Sequence, residues 1–176
     1  VRVPIFGNAA WLSYSRGMSV VTETRQDWFR LVTAPRSFRG LMALYESNYH
    51  RFIRLVPETD VPFDHAVSSG SDRDLYLRVT QRCRYTLTIH MTHWFGEADK
   101  AHPDPDLTLR IYRDARLAEA IYCDAASRYA ALAGVPHIDD QVLATQWPRN
   151  LLLNKWLAWC LQQGHGFSGV HRPRVC

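Results

Sequence analysis

The chain has 176 residues, of which 47% are apolar, 22% charged and 12% aromatic. That suffices for one domain with a buried core, since a fold of about 150 residues buries roughly 70% of its unfolded surface; it is too short for two ordinary domains, and the composition excludes wholesale disorder. The net charge is +4, only Lys100 and Lys155 of the 21 basic residues are lysines, and no window approaches the roughly 18 consecutive apolar residues that would mark a transmembrane helix.

The first 17 residues carry Ile5, Phe6 and Trp11 between Arg2 and Arg16, but Pro4, Gly7 and Asn8 break the apolar run. A signal peptide needs a sustained apolar stretch and a small-residue cleavage site, and neither is present. Met18 follows directly. Residues 1–17 are therefore expected to be an upstream extension, and residues 1–36 as a whole a partly irregular N-terminal segment, with a short turn of helix over Asp27–Val32.

The spacing of Phe38, Leu41, Met42, Tyr45, Tyr49, Phe52, Ile53 and Val56 predicts an amphipathic helix of about five turns. Ser37 is placed to cap it and Pro57 to stop it. Glu46, His50 and Arg54 fall on another, solvated face. Residues 57–74, with two Pro, four Asp, three Ser and a Gly, read as a connecting loop.

Strict alternation follows in Leu75–Gln81, Arg84–Phe95 and Leu107–Arg113, with a fourth run over Leu117–Cys123. Period two with Thr, Val, Ile and aromatics marks half-buried strands. The links Arg82–Cys83 and Asp114–Arg116 are short, and Gly96–Asp106 is a longer loop. Short links imply antiparallel neighbours.

Ala125–Ala133 has helix-forming composition, Gly134-Val135-Pro136 breaks it, and Asp139–Gln146 is read as a further short helix. Asn150–Gln163 returns to helical period, with Leu153, Trp156, Leu157, Cys160 and Leu161 on one side and Gly164 at the C′ position. The stretch after Gly164 reads as frayed, and residues 168–176 as a flexible tail. The predicted fold is α+β: a four-stranded antiparallel meander with two long amphipathic helices packed on one face, within a single domain over residues 37–167. The apolar side of the sheet would be Leu77, Val79, Leu87, Ile89, Leu109 and Ile111.

Several stretches resemble a proteobacterial family known as domain of unknown function 1249. They are Tyr45-Glu-Ser-Asn-Tyr49 with Arg54-Leu-Val-Pro57, Arg84-Tyr-Thr, the run from Leu109 to Glu119, and Asn150 with Trp156-Leu157, Cys160-Leu161 and Gly164. The resemblance spans roughly residues 38–167. The chain departs from it at Arg113, where the family often has histidine, and at Ala144-Thr-Gln146, where it tends to carry an acidic–acidic–lysine motif. The resemblance implies a small cytoplasmic bacterial protein and no activity.

Cys83, Cys123, Cys160 and Cys176 form no CxxC pattern, which argues against a zinc ribbon and for reduced thiols in the cytoplasm. Cys160 reads as core. Cys83 stands between Arg82 and Arg84, a setting that can lower a thiol pKa, and reads as a turn residue. His90 and His93 are three apart on one strand, so alternation sends them to opposite faces and they cannot chelate one ion. No metal or cofactor site is expected. Asp114 and Glu119 flank the last hairpin. As a pair they could serve as acid and base; the plainer expectation is that Asp114 organises the turn and Glu119 pairs with an arginine.

The polar side of the sheet is the richer surface. Alternation gathers Tyr76, Arg78, His90, Trp94, Arg110 and Tyr112 among threonines, with Arg113 and Arg116 at the adjoining turn. Such a face is ordinary for an antiparallel sheet. It also suits a protein partner or a second copy of the chain, and rings with guanidinium groups suit a single-stranded nucleic acid or a small anion. Removing the ends takes away Arg2, Arg16, Arg172 and Arg174, which lowers the charge from +4 to 0 and weakens the nucleic-acid reading. The preferred expectation is a non-enzymatic binding or regulatory module that uses this face. The alternatives are an enzyme acting on a small anionic substrate through Asp114 and Glu119, and a single-stranded nucleic-acid binder. No membrane association is expected.

Overall fold

A computed structural model describes residues 37–57, 63–97, 100–126 and 140–167. The N-terminal extension with its turn over Asp27–Val32, the breaker at 134–136 and the tail from 168 lie outside the described residues. In chain order the elements are α1 (Phe38–Leu55), β1 (His65–Ser68), β2 (Leu75–Arg82), β3 (Thr86–Phe95), β4 (His102–Pro103), β5 (Leu107–Tyr112), β6 (Leu117–Cys123) and α2 (Gln141–Gln162).

Helix α1 begins where Ser37 Oγ accepts from the Gly40 N–H at 3.1 Å, satisfying one of the donors that a helix start leaves unpaired. Its buried stripe runs through Leu41, Leu44, Tyr45, Asn48, Phe52 and Leu55. Phe38, expected on that stripe, is 70% exposed, because the stripe drifts round the helix and leaves the first turn outside the core. Glu46, His50 and Arg54 are exposed as expected.

Helix α2 is one element where two were expected. Asp140 caps it, its Oδ1 accepting from the Val142 and Leu143 N–H groups, each at 2.9 Å. Pro148 lies inside and lacks the N–H that would bond the Ala144 carbonyl. Just past it, Asn150 Nδ2 donates to the Gln146 carbonyl at 2.9 Å, and the helix continues. Gly164, at φ +81, ends it in a Schellman motif: Gly164 N–H reaches Leu161 O at 3.2 Å, and His165 N–H reaches Cys160 O at 3.1 Å.

The sheet runs β1-β2-β3-β5-β6, with β4 pairing the end of β3, and every pairing is antiparallel. The expected four-stranded meander is present as β2-β3-β5-β6, and the strand count is corrected by two. Strand β1 arises inside the stretch read as loop. It buries Ala66 and Ser68, exposes His65 and Val67, and takes its register from β2, with His65 opposite Arg78 and Ser68 opposite Leu75.

The core forms between one face of the sheet and the two helices. Phe52 and Leu55 of α1 and Leu152, Leu153, Trp156 and Leu157 of α2 join Leu77, Leu87, Ile89, Leu109 and Ile111 in one buried cluster. Burying a side chain of this size contributes roughly 1.5–3 kcal/mol, so this cluster fixes which face of the sheet is inside. The residues after α2, expected to fray, are packed as far as Phe167, which is 3% exposed and donates its N–H to Leu55 O at 2.7 Å.

Candidate functional site: the outer sheet face and its flanks

The face turned away from the helices carries the predicted residues in register. One cross-strand row reads His65, Arg78, His90, Thr108 and Tyr122, from β1 to β6. At about 4.8 Å between strands this row spans about 19 Å. On one side of it Val67 faces Tyr76, and Tyr76 faces Thr92. On the other, Thr88 faces Arg110, and Arg110 faces Glu119. Val67 (50%), Tyr76 (37%), Trp94 (44%) and Tyr122 (52%) are exposed. Val67 and Tyr76 are direct cross-strand partners, so part of this exposed apolar surface is continuous.

The charges on this face are mixed. Arg78 is exposed and Arg110 half-buried. His90 Nε2 is hydrogen-bonded to Asp106 Oδ1. Tyr112 donates its hydroxyl to Glu119 Oε1 at 2.6 Å. Tyr45 reaches the same carboxylate from α1. Burial first, and then the Glu119 carboxylate, hold both phenols above their ordinary pKa. Tyr45 also packs with Leu41 and Trp147, so this polar group is sealed on one side by an apolar one.

The turn between β5 and β6 is built by its own residues. Asp114 Oδ1 accepts from the Ala115 N–H at 2.9 Å, Arg116 adopts φ +55, and the Arg113 N–H bonds Tyr85 O at 2.9 Å, which ties this turn to the β2–β3 hairpin. Asp114 is exposed and holds its turn, as the plainer expectation has it. Glu119 sits half-buried opposite Arg110 and is engaged by tyrosine hydroxyls. The two carboxylates thus bind different partners.

Two buried polar groups escaped the sequence reading. Asn48 Nδ2 approaches Ala118 O at 3.4 Å, Asn150 Oδ1 accepts from the Ala120 N–H at 2.8 Å, and Arg149 Nη1 donates to Ile121 O at 2.6 Å. Asn154 Nδ2 links in through Asn48 Oδ1 at 3.0 Å. These side chains supply partners to the backbone of β6, the last strand of the sheet, which would otherwise be an open edge. The available signal was Asn150 and Asn154 four apart among apolar residues, and Asn48 between the apolar positions Tyr45 and Phe52 of the first helix.

At the opposite side, His93 donates from Nδ1 to Asp74 O at 3.0 Å and turns Nε2 toward Cys160 Sγ at 3.9 Å. Burial pushes His93 down to about 4 and the Cys160 thiol well above its ordinary value. This is a neutral thiol facing a neutral imidazole, without the thiolate that makes a cysteine reactive. Cys83, by contrast, is exposed at the hairpin, and Cys123 is half-buried with its thiol pushed up to about 12 by burial. Among the described residues no group of three or more His, Cys, Asp or Glu could hold a metal ion, and no described helix is long and apolar enough to cross a membrane.

A family described as "Protein of unknown function (DUF1249)" matches residues 51–166. The chain is 28% identical over 129 residues to the "Uncharacterized protein YqiB" of Escherichia coli strain K12, covering 72% of this chain and 90% of the relative. The proteins of the same description from the O6:H1 and O157:H7 strains match to the same extent. No solved structure matches the chain.

Proposed function

This chain belongs to the DUF1249 family, whose description names no activity, and we propose from its own surface that it is a protein-binding module acting through the outer sheet face. The observation that carries this reading is the exposed set Tyr76, Trp94 and Tyr122 beside Arg78 and Arg110. Tyrosine, tryptophan and arginine are the residue types that dominate the energetics of protein interfaces. Lysine, which interfaces tend to exclude, is missing from these strands.

The partner is a protein presenting apolar side chains flanked by carboxylates, which would meet the rings and Arg78. A nucleic acid or other polyanion fits less well. Asp106 and Glu119 stand on the same face, next to His90 and opposite Arg110, and would repel phosphates. An interface of this kind owes its strength to a few anchors. Trp94→Ala should cost about 2 kcal/mol, close to 30-fold in affinity.

A photo-crosslinking residue placed at Tyr76 or at Trp94 in living cells tests the reading. The expected result is a discrete protein adduct at both positions. It should be absent with the same probe at Val142, which is 66% exposed on α2, and reduced several-fold by Arg78→Glu. An adduct with a second copy of the chain would replace the reading with a homodimer, and a nuclease-sensitive adduct would replace it with nucleic acid. Equal background at all three positions would overturn it.

A further inference from the structure

Residues 163–167 leave α2 through the Schellman turn at Gly164 and then cross to the β1 side of the sheet. Gly166 N–H donates to Ser68 Oγ at 2.9 Å and Phe167 N–H to Leu55 O at 2.7 Å. Gln163 O accepts from the Ser71 N–H at 3.0 Å. Between these anchors His165 is 4% exposed. Its ring centroid lies 5.5 Å from that of His93 and 6.5 Å from that of Trp159.

The two ring nitrogens of His165 are in different situations. Nδ1 is 3.1 Å from Ser68 O. That contact requires a proton on Nδ1, which leaves Nε2 as the free base. Nε2 is buried and has no hydrogen-bond partner among the described residues. It is wedged against Gly70, where an added Cβ would stand 2.5 Å from Cε1 and 2.7 Å from Nε2. A second proton would therefore place a charged N–H in a buried position with no acceptor among the described residues, a loss a protein avoids by moving the group into water.

We propose that residues 163–167 form an acid-released latch with His165 as its trigger. The alternative to protonation in place is cheap. A segment of a few residues, hinged at a glycine already in the left-handed region, has only to lift away from β1, and local openings of this kind cost far less than global unfolding. The groups facing the ring decide the balance. Asp72 and Asp74 in the loop before β2 favour the cation through space, while His93 from β3 and Trp159 and Cys160 from α2 offer it no carboxylate. Burial outweighs the two aspartates, and His165 stays neutral to lower pH than an exposed histidine. Release withdraws Phe167 from the core and uncovers Leu55 and Ser68, while His93 stays enclosed by Trp156 and Trp159. The latch lies at the β1 side and depends on no partner of the outer face.

Hydrogen exchange in the full chain, corrected for intrinsic rates, tests this. Between pH 7.5 and 5 the protection of the Gly166 and Phe167 amides should fall by up to about tenfold per pH unit, and it should lie below that of the β3 core amides, which exchange through global opening, at every pH in the range. Gly70→Ala, which drives a methyl into the ring, should lower Gly166 and Phe167 protection already at pH 7.5. His165→Asn can still donate to Ser68 O but cannot titrate, and should make latch protection independent of pH. If that variant opens the latch outright, the wild-type chain decides. The midpoint of latch opening must coincide with the titration midpoint of the His165 ring followed by NMR. Protection that does not change with pH, that equals the β3 value throughout the range, or that follows the titration of another group would overturn the proposal. So would a pH dependence that persists in a closed His165→Asn latch.

Discussion

On the β6 side of the sheet, Asn48 and Asn150 join the two helices to the strand backbone, and Asn154 braces Asn48. On the β1 side, His93 and His165 make the matching connections to Asp74 O and Ser68 O. Both clusters are buried, and both hand a main-chain group a partner that a side chain supplies. The amides carry no titratable proton, so the β6 connection is the same at every pH. The imidazoles can do the same work while buried only when neutral, because burial disfavours the ring once Nε2 takes a second proton. The molecule is thus fastened by one permanent clasp and one conditional one.

The permanent clasp should be the more costly to break. Asn150→Ala removes the acceptor of the Ala120 N–H and the donor to Gln146 O beside the Pro148 interruption. An orphaned buried donor costs about 1–3 kcal/mol, and two lost bonds together should destabilise the chain by about 3 kcal/mol in urea unfolding at pH 7. The loss should be the same at pH 6. A pH-dependent loss would mean the two clusters are coupled rather than separate.

The conditional clasp sets the acid behaviour. The folded-state pKa of His93 is lowered from 6.5 to about 4, so between those values the unfolded chain binds more protons than the folded one. Stability is therefore complete above about pH 6.5 and declines as pH falls toward 4. For His93 alone the decline from pH 7 to pH 5 is about 2 kcal/mol, and His165, shifted in the same direction, adds to it. Urea midpoints measured across this range should fall with acid, and His93→Asn should flatten the slope. A slope unchanged by that variant would move the acid sensitivity elsewhere.

The contrast also separates what the sequence made legible from what it did not. Ser37, the helix after it, the four central strands and Gly164 were all readable, because each rests on a local rule: a cap, a period or a left-handed glycine. The opposed sides of His90 and His93 followed from alternation, and the outer-face residues from the same count. Strand β1 was not readable. Four residues, His65–Ser68, lie among turn formers, and their strand geometry comes from pairing with β2. Strand β4 is a two-residue pairing set by the end of β3. The unbroken α2 was hidden by Pro148, which local propensity treats as a stop. Both clasps were hidden for the same reason. Asparagine and histidine on an apolar stripe look like ordinary polar residues until the strand edge they serve is in place.

A third polar group gives a smaller and pH-neutral control. Tyr112→Phe removes the hydroxyl that bonds Glu119 at 2.6 Å. The site is half-buried and Tyr45 still approaches the carboxylate, so the expected loss is about 1 kcal/mol. The loss should be equal at pH 7 and pH 6, since both phenols stay protonated there. A value near 3 kcal/mol would rank this group with the asparagines as a structural clasp.

The smallest effect should come from the turn that ends this hairpin. Arg116 holds φ +55, a region where a side chain with a Cβ pays about 1–2 kcal/mol and glycine pays nothing. Arg116→Gly relieves that strain but adds freedom to the unfolded chain, which takes back about half of the gain. The net expectation is a stabilisation of about 0.5 kcal/mol, with the acid slope unchanged because neither imidazole lies in this turn. If Arg116→Gly instead destabilises the chain, the arginine side chain holds the turn through a contact worth more than the backbone strain. The positive charge at this end of the sheet would then be part of the fold rather than an addition to its surface.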